Sequence, residues 1–436
     1  MKRGKKLLLA LACGALLLVS WGVAITAKSD SQKQAELIQQ SQAYLEDEVY
    51  IRCVPLLEEA VGYSGKHTEQ AETLLKQVYT QLFEQSGYRS KYTDLLERQM
   101  ARKNPDPEVF REAAEYYLSV AEESTALEIL RDGIARTESQ DLVDLYEANR
   151  YLFKLERSTY HDVTAIVNGT IQVKLDGKWG LADATGSLLI PCQYDKISTC
   201  WNGETIVMQN GLITAVDQNN NRLAKLHEQA SDFGNYAEDR VPLKMEDGWH
   251  RANGEFQIGS AAFEEMGMYS NGYAPAKSEG KWGVVDTGND WLIPPEYDQI
   301  IQDELGRCYA QQAVFVRQGD EVLLLVDGKQ VGEPYQDARP FADGYAAVER
   351  DGKWGFIDTQ GNVQIDFRFD DALSFGQHLA AVKSGDLWGY VSLSGELVIE
   401  PTFLQAKSFS QGSAPVLTAD GWQFITLLEY EKGLSL

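Results

Sequence analysis

The sequence is poor in cysteine, histidine and positive charge. Its 436 residues include 5 Cys, 5 His and 40 Lys and Arg against 65 Asp and Glu, for a net charge of −25. Such an acidic surface repels nucleic acid and anionic lipid head groups, so neither is expected as a partner. The histidines are scattered, with no pair at metal-ligand spacing, and no metal or cofactor is expected.

The cysteines argue against two classes of small, cross-linked fold. Cys53, Cys192, Cys200 and Cys308 are irregularly spaced and form no C-x-x-C pair. Neither a zinc site nor a disulfide scaffold is therefore predicted. A bridge between Cys192 and Cys200 stays open, because an exported protein meets an oxidising compartment.

Motifs of catalysis are equally scarce. The chain contains no H-E-x-x-H, G-x-S-x-G, G-x-G-x-x-G or phosphate-binding loop. These motifs carry the metal, nucleophile and phosphate chemistry of many enzymes. We therefore predict no catalytic residue and no enzymatic activity.

Residues 1–27 contain a long uncharged segment. Four positive charges precede a mostly apolar run from Leu7 to Ala27. As a helix, this run would span roughly 30 Å, the thickness of a bilayer's hydrocarbon core. We predict a single-pass membrane anchor with the positive charges in the cytoplasm and the bulk of the protein outside it. Secretion after cleavage behind Ala27 is the alternative.

Residues 28–160 show the spacing of helical hairpins. Apolar and small residues recur three and four positions apart in two stretches, Ala35–Val61 and Phe110–Ala135. This pattern resembles tetratricopeptide repeats, which implies stacked helix pairs. The segment would then either hold a peptide in a groove or act as a stalk, and both interpretations stay open.

Residues 161–436 carry an internal repeat. The motif Gly-Lys-Trp-Gly occurs at Trp179, Trp282 and Trp354, and weaker copies, with Ile213 and Leu323 in place of Trp, bring the number of units to eight, about 34 residues apart. An aromatic residue stands 13 positions before the Trp in four copies. The repeated residues are Trp179, Gly180, Trp249, Trp282, Gly283, Trp354, Gly355, Trp388, Gly389 and Trp422.

These motifs resemble the WG-repeat family of bacterial proteins. The resemblance implies a β-rich repeat domain, often exported, with no shared catalytic activity. In each unit the sequence predicts short strands around turns such as Asp351-Gly352. The Trp would pack neighbouring units, and the Gly after it would allow a close backbone approach. The Asp of the Trp-Gly-x-x-Asp motif, as at Asp358, would cap a turn.

The predicted fold is thus an all-α helical-repeat segment followed by an all-β repeat domain, closed as a propeller-like ring or open as a solenoid. The predicted function is that of a membrane-anchored interaction or scaffold protein with a protein or peptide partner in the cell envelope. The alternative is a module that binds carbohydrate or peptidoglycan. Trp201 and Trp291 lie outside the repeat position and would stack on sugars if they were exposed.

Overall fold

The structure, a computed structural model, describes residues 29–225, 230–310 and 312–430. It divides into two compact units, residues 1–147 and 148–436. The predicted membrane anchor at residues 1–27 lies outside the described residues. Within the described ranges, none of the helices combines the length and the apolarity needed to cross a bilayer.

The described part of the first unit consists of seven helices. They are α1 (Asp30–Glu46), α2 (Tyr50–Val61), α3 (Thr68–Gln81), α4 (Tyr88–Met100), α5 (Pro107–Ser119), α6 (Glu123–Thr137) and α7 (Gln140–Asn149). Helices α1 and α2 form one hairpin, and α5 and α6 form another. Both hairpins were predicted from the sequence and are confirmed as helix pairs, whereas their tetratricopeptide character stays a prediction.

Local chemistry explains where these helices begin and end. The Ser29 side chain accepts a hydrogen bond from the Gln32 amide, and the Gln32 side chain accepts one from the Ser29 amide. This reciprocal cap satisfies amide groups that the first helical turn leaves without partners. The turns of the two hairpins use left-handed backbone at Glu48 (φ 57°) and Ala121 (φ 59°). Glycine would adopt this left-handed conformation at a lower energetic cost than Glu or Ala.

The second unit is an eight-bladed β-propeller, counted over its described residues. Each blade begins with a two-residue inner strand, and seven of the eight blades have four strands. Blades 1 to 4 contain β2 (Asp162–Val163), β3 (Thr170–Leu175), β4 (Lys178–Asp183), β5 (Leu188–Tyr194); β6 (Lys196–Ile197), β7 (Glu204–Gln209), β8 (Leu212–Asp217), β9 (Arg222–Lys225); β10 (Asp232–Phe233), β11 (Arg240–Met245), β12 (Gly248–Asn253); and β13 (Glu265–Met266), β14 (Tyr273–Ser278), β15 (Lys281–Asp286), β16 (Trp291–Tyr297).

Blades 5 to 8 continue the pattern. They contain β17 (Gln299–Ile300), β18 (Ala313–Gln318), β19 (Glu321–Val326), β20 (Lys329–Tyr335); β21 (Asp337–Ala338), β22 (Ala346–Arg350), β23 (Lys353–Ile357), β24 (Val363–Phe369); β25 (Asp371–Ala372), β26 (Leu379–Ser384), β27 (Leu387–Ser392), β28 (Leu397–Phe403); and β29 (Gln405–Ala406), β30 (Ser413–Thr418), β31 (Gly421–Leu427), with β1 (Phe153–Arg157) as the outer strand of blade 8. A short 3-10 helix (Leu428–Tyr430) follows.

Strand β1 closes the ring. It pairs antiparallel with β31, from Phe153 opposite Leu427 to Arg157 opposite Gln423. The open edge of the last blade is thereby covered by the strand that precedes the first blade, which removes an unpaired sheet edge. This pairing excludes an open solenoid. Strand β1 lies ahead of residue 161, from which the sequence analysis counted the repeat domain.

The register of blade 5 corrects one assignment of the repeat. Trp179 faces Lys174, and the equivalent cross-strand pair in blade 5 is Val322 with Arg317. Val322, rather than Leu323, therefore occupies the Trp position. The sequence comparison misaligned this blade by one residue because Asp327-Gly328, with φ of 49° and 72°, forms a two-residue turn. The other copies have a longer turn after the Asp.

Candidate functional site

The repeated tryptophans line the contacts between blades, but not equally. Trp354, Trp388 and Trp422 are buried, with exposed fractions of 4%, 9% and 5%, whereas the tryptophans of blades 1, 3 and 4 are half-buried. Trp354 packs with residues of the next blade, including Phe375. Trp422 packs against Val163 of blade 1 and so joins the two ends of the ring. The burial of these three side chains is consistent with packing between blades.

The glycine after the tryptophan has a specific neighbour. A Cβ at Gly180, Gly283 or Gly389 would lie 2.4 Å from a carbonyl oxygen of the outer strand. The outer strand bulges at this point, since its register with the Trp strand shifts. The predicted close backbone approach is therefore confirmed. In blade 8 the outer strand β1 pairs regularly, and Gln423 takes the glycine position.

The recurring aspartates stabilise turns. One carboxylate oxygen of Asp358 accepts hydrogen bonds from the amides of Gln360 and Asn362, both at 2.9 Å. The carboxylates of Asp183 and Asp286 make the same two contacts in their own turns. The structure therefore explains these residues as turn caps.

The lysine of the Gly-Lys-Trp-Gly motif links neighbouring blades, which the sequence interpretation missed. The ammonium group of Lys281 donates to Asp298 at 2.6 Å, and the same carboxylate accepts from the Gly319 amide of the next hairpin at 2.8 Å. Lys178 with Asp195 and Lys353 with Asp370 repeat the arrangement. The available signal was an Asp 16 residues after the Trp, preceded by Tyr or Phe, in three copies.

These links predict an acid-dependent loss of stability. The lysine ammonium groups, together with backbone amides, lower the pKa of Asp195, Asp298 and Asp370. A carboxylate with a lowered folded pKa stabilises the fold above its unfolded pKa of about 3.9 and loses that effect as the pH falls through the folded value. A variant with all three changed to Asn should be less stable than the unchanged chain near neutral pH, and the difference should shrink as the pH falls below the unfolded pKa. Denaturant midpoints measured across this range test the expectation. A difference that persisted at low pH would contradict it.

An insertion in blade 5 fills the centre of the ring. Trp282 and Val322 are 40 residues apart, against 32 to 36 for the other pairs of consecutive units. The additional residues form a loop over residues 302–308, whose Leu305 is buried against Ala165, Ala237 and Met268 of blades 1, 3 and 4. The loop is also held by Asn235, which donates to the Leu305 carbonyl at 2.9 Å. On the other side, Lys407 of blade 8 forms an ion pair with Glu304. We call this segment the central loop.

A cavity of about 980 Å³ lies beside the central loop, lined by blades 1 and 4 to 8. Its charged side chains are Arg307, Arg317, Arg339, Lys383, Lys407, Asp303, Glu304, Asp337, Asp343 and Asp371. Asp337 bonds both Arg317, at 3.0 Å, and Arg339, at 3.1 Å. The Arg339 guanidinium also lies 4.3 Å from the centre of the Trp354 ring. The lining aromatics are all buried. The cavity can therefore present fixed charges of both signs to a ligand.

The two tryptophans proposed for sugar stacking are not brought together. Trp201 lies after the inner strand of blade 2, is half-buried, and donates through Nε1 to Asp239 at 2.9 Å. Trp291 lies on the outer strand of blade 4, half-buried, with its ring edge-to-face on Phe263 at 5.7 Å. Neither lines the cavity. Cys192 and Cys200 are free thiols, so the bridge left open by the sequence is not formed.

Comparison with known proteins identifies the repeat. The family model described as WG containing repeat matches residues 179–212, 260–282, 282–303, 335–354, 354–388 and 388–422. No curated protein matches the chain.

Similar solved structures are distant. Kluyveromyces lactis Hsv2 is 9% identical, with 60% of this chain and 97% of that chain covered and a TM-score of 0.34. A eukaryotic initiation factor is 12% identical, with 60% and 79% covered and a TM-score of 0.38. The extracellular domain of a putative hybrid two component system from B. thetaiotaomicron is 8% identical, with 58% and 45% covered and a TM-score of 0.35. The strand pairing of this chain, rather than these similarities, defines its fold.

Proposed function

We propose, from the premise that this chain is a WG-repeat protein, that it is an extracytoplasmic interaction protein in the cell envelope. In this proposal residues 1–27 hold the chain at the membrane, and the propeller binds a protein or peptide partner. The helical hairpins would provide a second binding surface or lift the propeller from the membrane. The chain would act by binding, without catalysis.

The main support for this proposal is the charge pattern of the cavity beside the central loop. A peptide offers backbone donors and acceptors and side chains of both signs, which suits a cavity lined by acidic and basic groups held in fixed pairs. The network of Arg317, Asp337 and Arg339 provides such groups in a fixed geometry. Fixed polar groups bind with a smaller loss of conformational entropy than mobile ones.

A carbohydrate module would use a different surface. Sugar recognition by stacking needs an aromatic face that solvent can reach. In the cavity Phe341, Phe375 and Trp388 are buried at 4%, 3% and 9% exposure. Trp201 and Trp291, the two tryptophans proposed for such a role, are half-buried and pack in separate clusters. Their partial exposure nevertheless gives the alternative a direct test.

The proposal predicts that one partner is captured through the cavity. The full chain, solubilised in detergent, would be cross-linked in envelope extracts and its partners identified. Leu404 lines the cavity and is 49% exposed, so Leu404→Arg should obstruct it and reduce capture of the partner by about tenfold or more. The matched control is Leu212→Arg, at 48% exposure and outside the cavity lining, which should leave capture unchanged.

Binding to purified cell-wall polysaccharide is measured beside the capture. Saturable polysaccharide binding that is lost on Trp201→Ala or Trp291→Ala would overturn the proposal in favour of the carbohydrate module. Capture that is equal for Leu404→Arg and the unchanged chain would exclude the cavity as the binding site.

A further inference from the structure

Carboxylates at the start of several blades bond cations of the blade before, whereas Glu265 of blade 4 bonds Lys277 of its own blade. They come from two adjacent positions, 18 and 17 residues before the Trp position, or 24 and 23 residues before Val322 in blade 5 because of the insertion. At the first, Asp370 of blade 7 bonds Lys353 of blade 6 at 2.6 Å. At the second, Asp337 of blade 6 bonds Arg317 of blade 5 at 3.0 Å. We call these two positions, whose acids bond the preceding blade, the acidic step.

Blade 8 lacks this acidic step. Its two positions are occupied by Leu404 and Gln405, whereas each of blades 1 to 7 has an Asp or Glu in at least one of them. At the first position the loss of the acid is matched on blade 7, where Leu387 stands in place of the lysine of the three Gly-Lys-Trp-Gly copies. At the second position the loss of the acid has no counterpart on blade 7, because blade 7 retains the cation Lys383, the repeat equivalent of Arg317.

Lys383 therefore forms no ion pair with blade 8 in the described structure; Lys174 and Lys244, at the same repeat position, form none either, but of the three only Lys383 lines the cavity. It is half-buried and lines the cavity together with Leu404 and Gln405. Among the described residues, no hydrogen-bond acceptor or carboxylate oxygen lies within bonding distance of its ammonium group. Arg317, at the equivalent position, has such an ion pair with the following blade. An ammonium group that lines a cavity without an ion-pair partner is available to bond an incoming anion.

The nearby acids of blade 7 are already occupied. Asp371 lies opposite Lys383 in the strand register, but its carboxylate accepts from Arg339 at 3.4 Å and from the Ala372 amide at 2.8 Å. Asp370 accepts from Lys353 at 2.6 Å and from the Gly385 amide at 2.7 Å. Both carboxylates therefore bond a cation of the preceding blade and a backbone amide of their own blade. Neither forms a hydrogen bond or ion pair with Lys383, although the charge of Lys383 contributes to the lowered pKa of Asp370.

We propose that the cavity at the junction of blades 7 and 8 is a carboxylate-binding subsite, in which Lys383 bonds a carboxylate of the peptide partner. The inference rests on the proposed function and names the ligand group that the cavity takes. Leu404, half-exposed at the edge of the subsite, offers apolar contact to the residue that carries the carboxylate. The Gln405 amide provides an additional donor. The carboxylate is either an acidic side chain or a peptide C-terminus, since both present the same group.

Three mixtures of N-acetylated hexapeptides, with uncharged residues at the remaining positions, separate these sources. The first has a central Glu and an amidated C-terminus, the second a central Gln and a free C-terminal carboxylate, and the third a central Gln and an amidated C-terminus. Binding to the full chain in detergent is measured by fluorescence anisotropy. A charge-assisted hydrogen bond corresponds to roughly tenfold or more in affinity, so the first or second mixture should bind that much tighter than the third. The tighter of the two identifies the source.

Substitutions at and near Lys383 test whether it causes the preference for a carboxylate. Lys383→Met should remove the preference for a carboxylate, and Lys383→Arg should retain it. Gln405→Asp should also remove it, because that change restores the acid of the repeat beside Lys383. Lys329→Met, at an exposed position on the outer strand of blade 5 and outside the cavity lining, is the control and should leave the preference unchanged. Equal denaturant midpoints of the Met and Arg variants show that folding is not the cause.

Equal binding of the three mixtures, including no binding by any of them, overturns the subsite. A preference that survives Lys383→Met also overturns it. The partner capture described above distinguishes this outcome from a failure of the proposed function. If Lys383→Met captures the partner as well as the unchanged chain does, the interaction function stands and the carboxylate subsite is wrong.

Discussion

Replacing Gly389 with Val should destabilise the propeller by about 3 kcal/mol or more, because the bulged outer strand leaves no room for a side chain. A Cβ at this position would lie 2.4 Å from the Ile399 carbonyl oxygen and 2.7 Å from the Pro401 nitrogen. Both contacts are to backbone, so no side-chain rotation relieves them. Denaturant unfolding followed by tryptophan fluorescence measures the effect, because eight of the nine tryptophans lie in the propeller.

The matched control for this change is Thr214→Val. Thr214 follows Ile213 in blade 2, at the repeat position of the glycine, and is buried at 8% exposure. Its facing strand β9 ends at Lys225, which pairs with Thr214. The control should cost no more than about 1.5 kcal/mol, the upper net contribution of one hydrogen bond, because Val keeps the shape of Thr and loses only its hydroxyl. Equal losses for the two variants would show that the glycine is not required by the bulge.

Replacing Trp354 with Ala should cost about 3–5 kcal/mol, the range for truncating a buried aromatic side chain. Trp354 is 4% exposed and packs against Phe369 and Phe375. Its ring also faces the Arg339 guanidinium, 4.3 Å from the ring centre. Because Arg339 belongs to the cavity network, this change should weaken partner capture as well as stability. Equilibrium unfolding gives the first quantity, and the capture assay gives the second.

Trp179→Ala provides the comparison within the same repeat. Trp179 has the same sequence neighbours but is half-buried, with Lys174 lying 5.2 Å from its ring centre. Folding removes less apolar surface from water at Trp179, so truncation should cost only about 1–2 kcal/mol. If the two variants lost the same free energy, burial would not be the property that distinguishes the copies.

Much of the blade could be predicted from the sequence because its determinants are local. The turn Asp351-Gly352 has positive φ at both residues, 52° and 71°, as its composition predicts. Gly355 recurs because the bulge is encoded within one unit of the repeat. These features depend on residues at most about half a repeat apart. The period of the repeat, the class of fold and the role of the glycine followed from the same information.

The candidate site could not be predicted in the same way. Ring closure depends on the pairing of β1 with β31, in which Ser158 also bonds the carbonyl of Trp422, 264 residues away. The central loop reaches blades 1, 3, 4 and 8, and no local signal specifies those contacts. The sequence interpretation therefore selected Trp201 and Trp291 for their chemistry, whereas the cavity is lined by charged residues that individually resemble ordinary surface residues.

The sequence by itself determined the repeat, its turns, its glycines and an interior made of apolar blade contacts, since each of these results from interactions within a unit or between adjacent units. Only the tertiary structure decided that the ring closes, that the insertion occupies its centre, and that Lys383 and Gln405 line one cavity, whereas Arg317, the repeat equivalent of Lys383, bonds an acid. The physical reason is that these outcomes arise from contacts between distant units. Their free energies depend on which side chains the closed ring brings together, and not on the local spacing of residues.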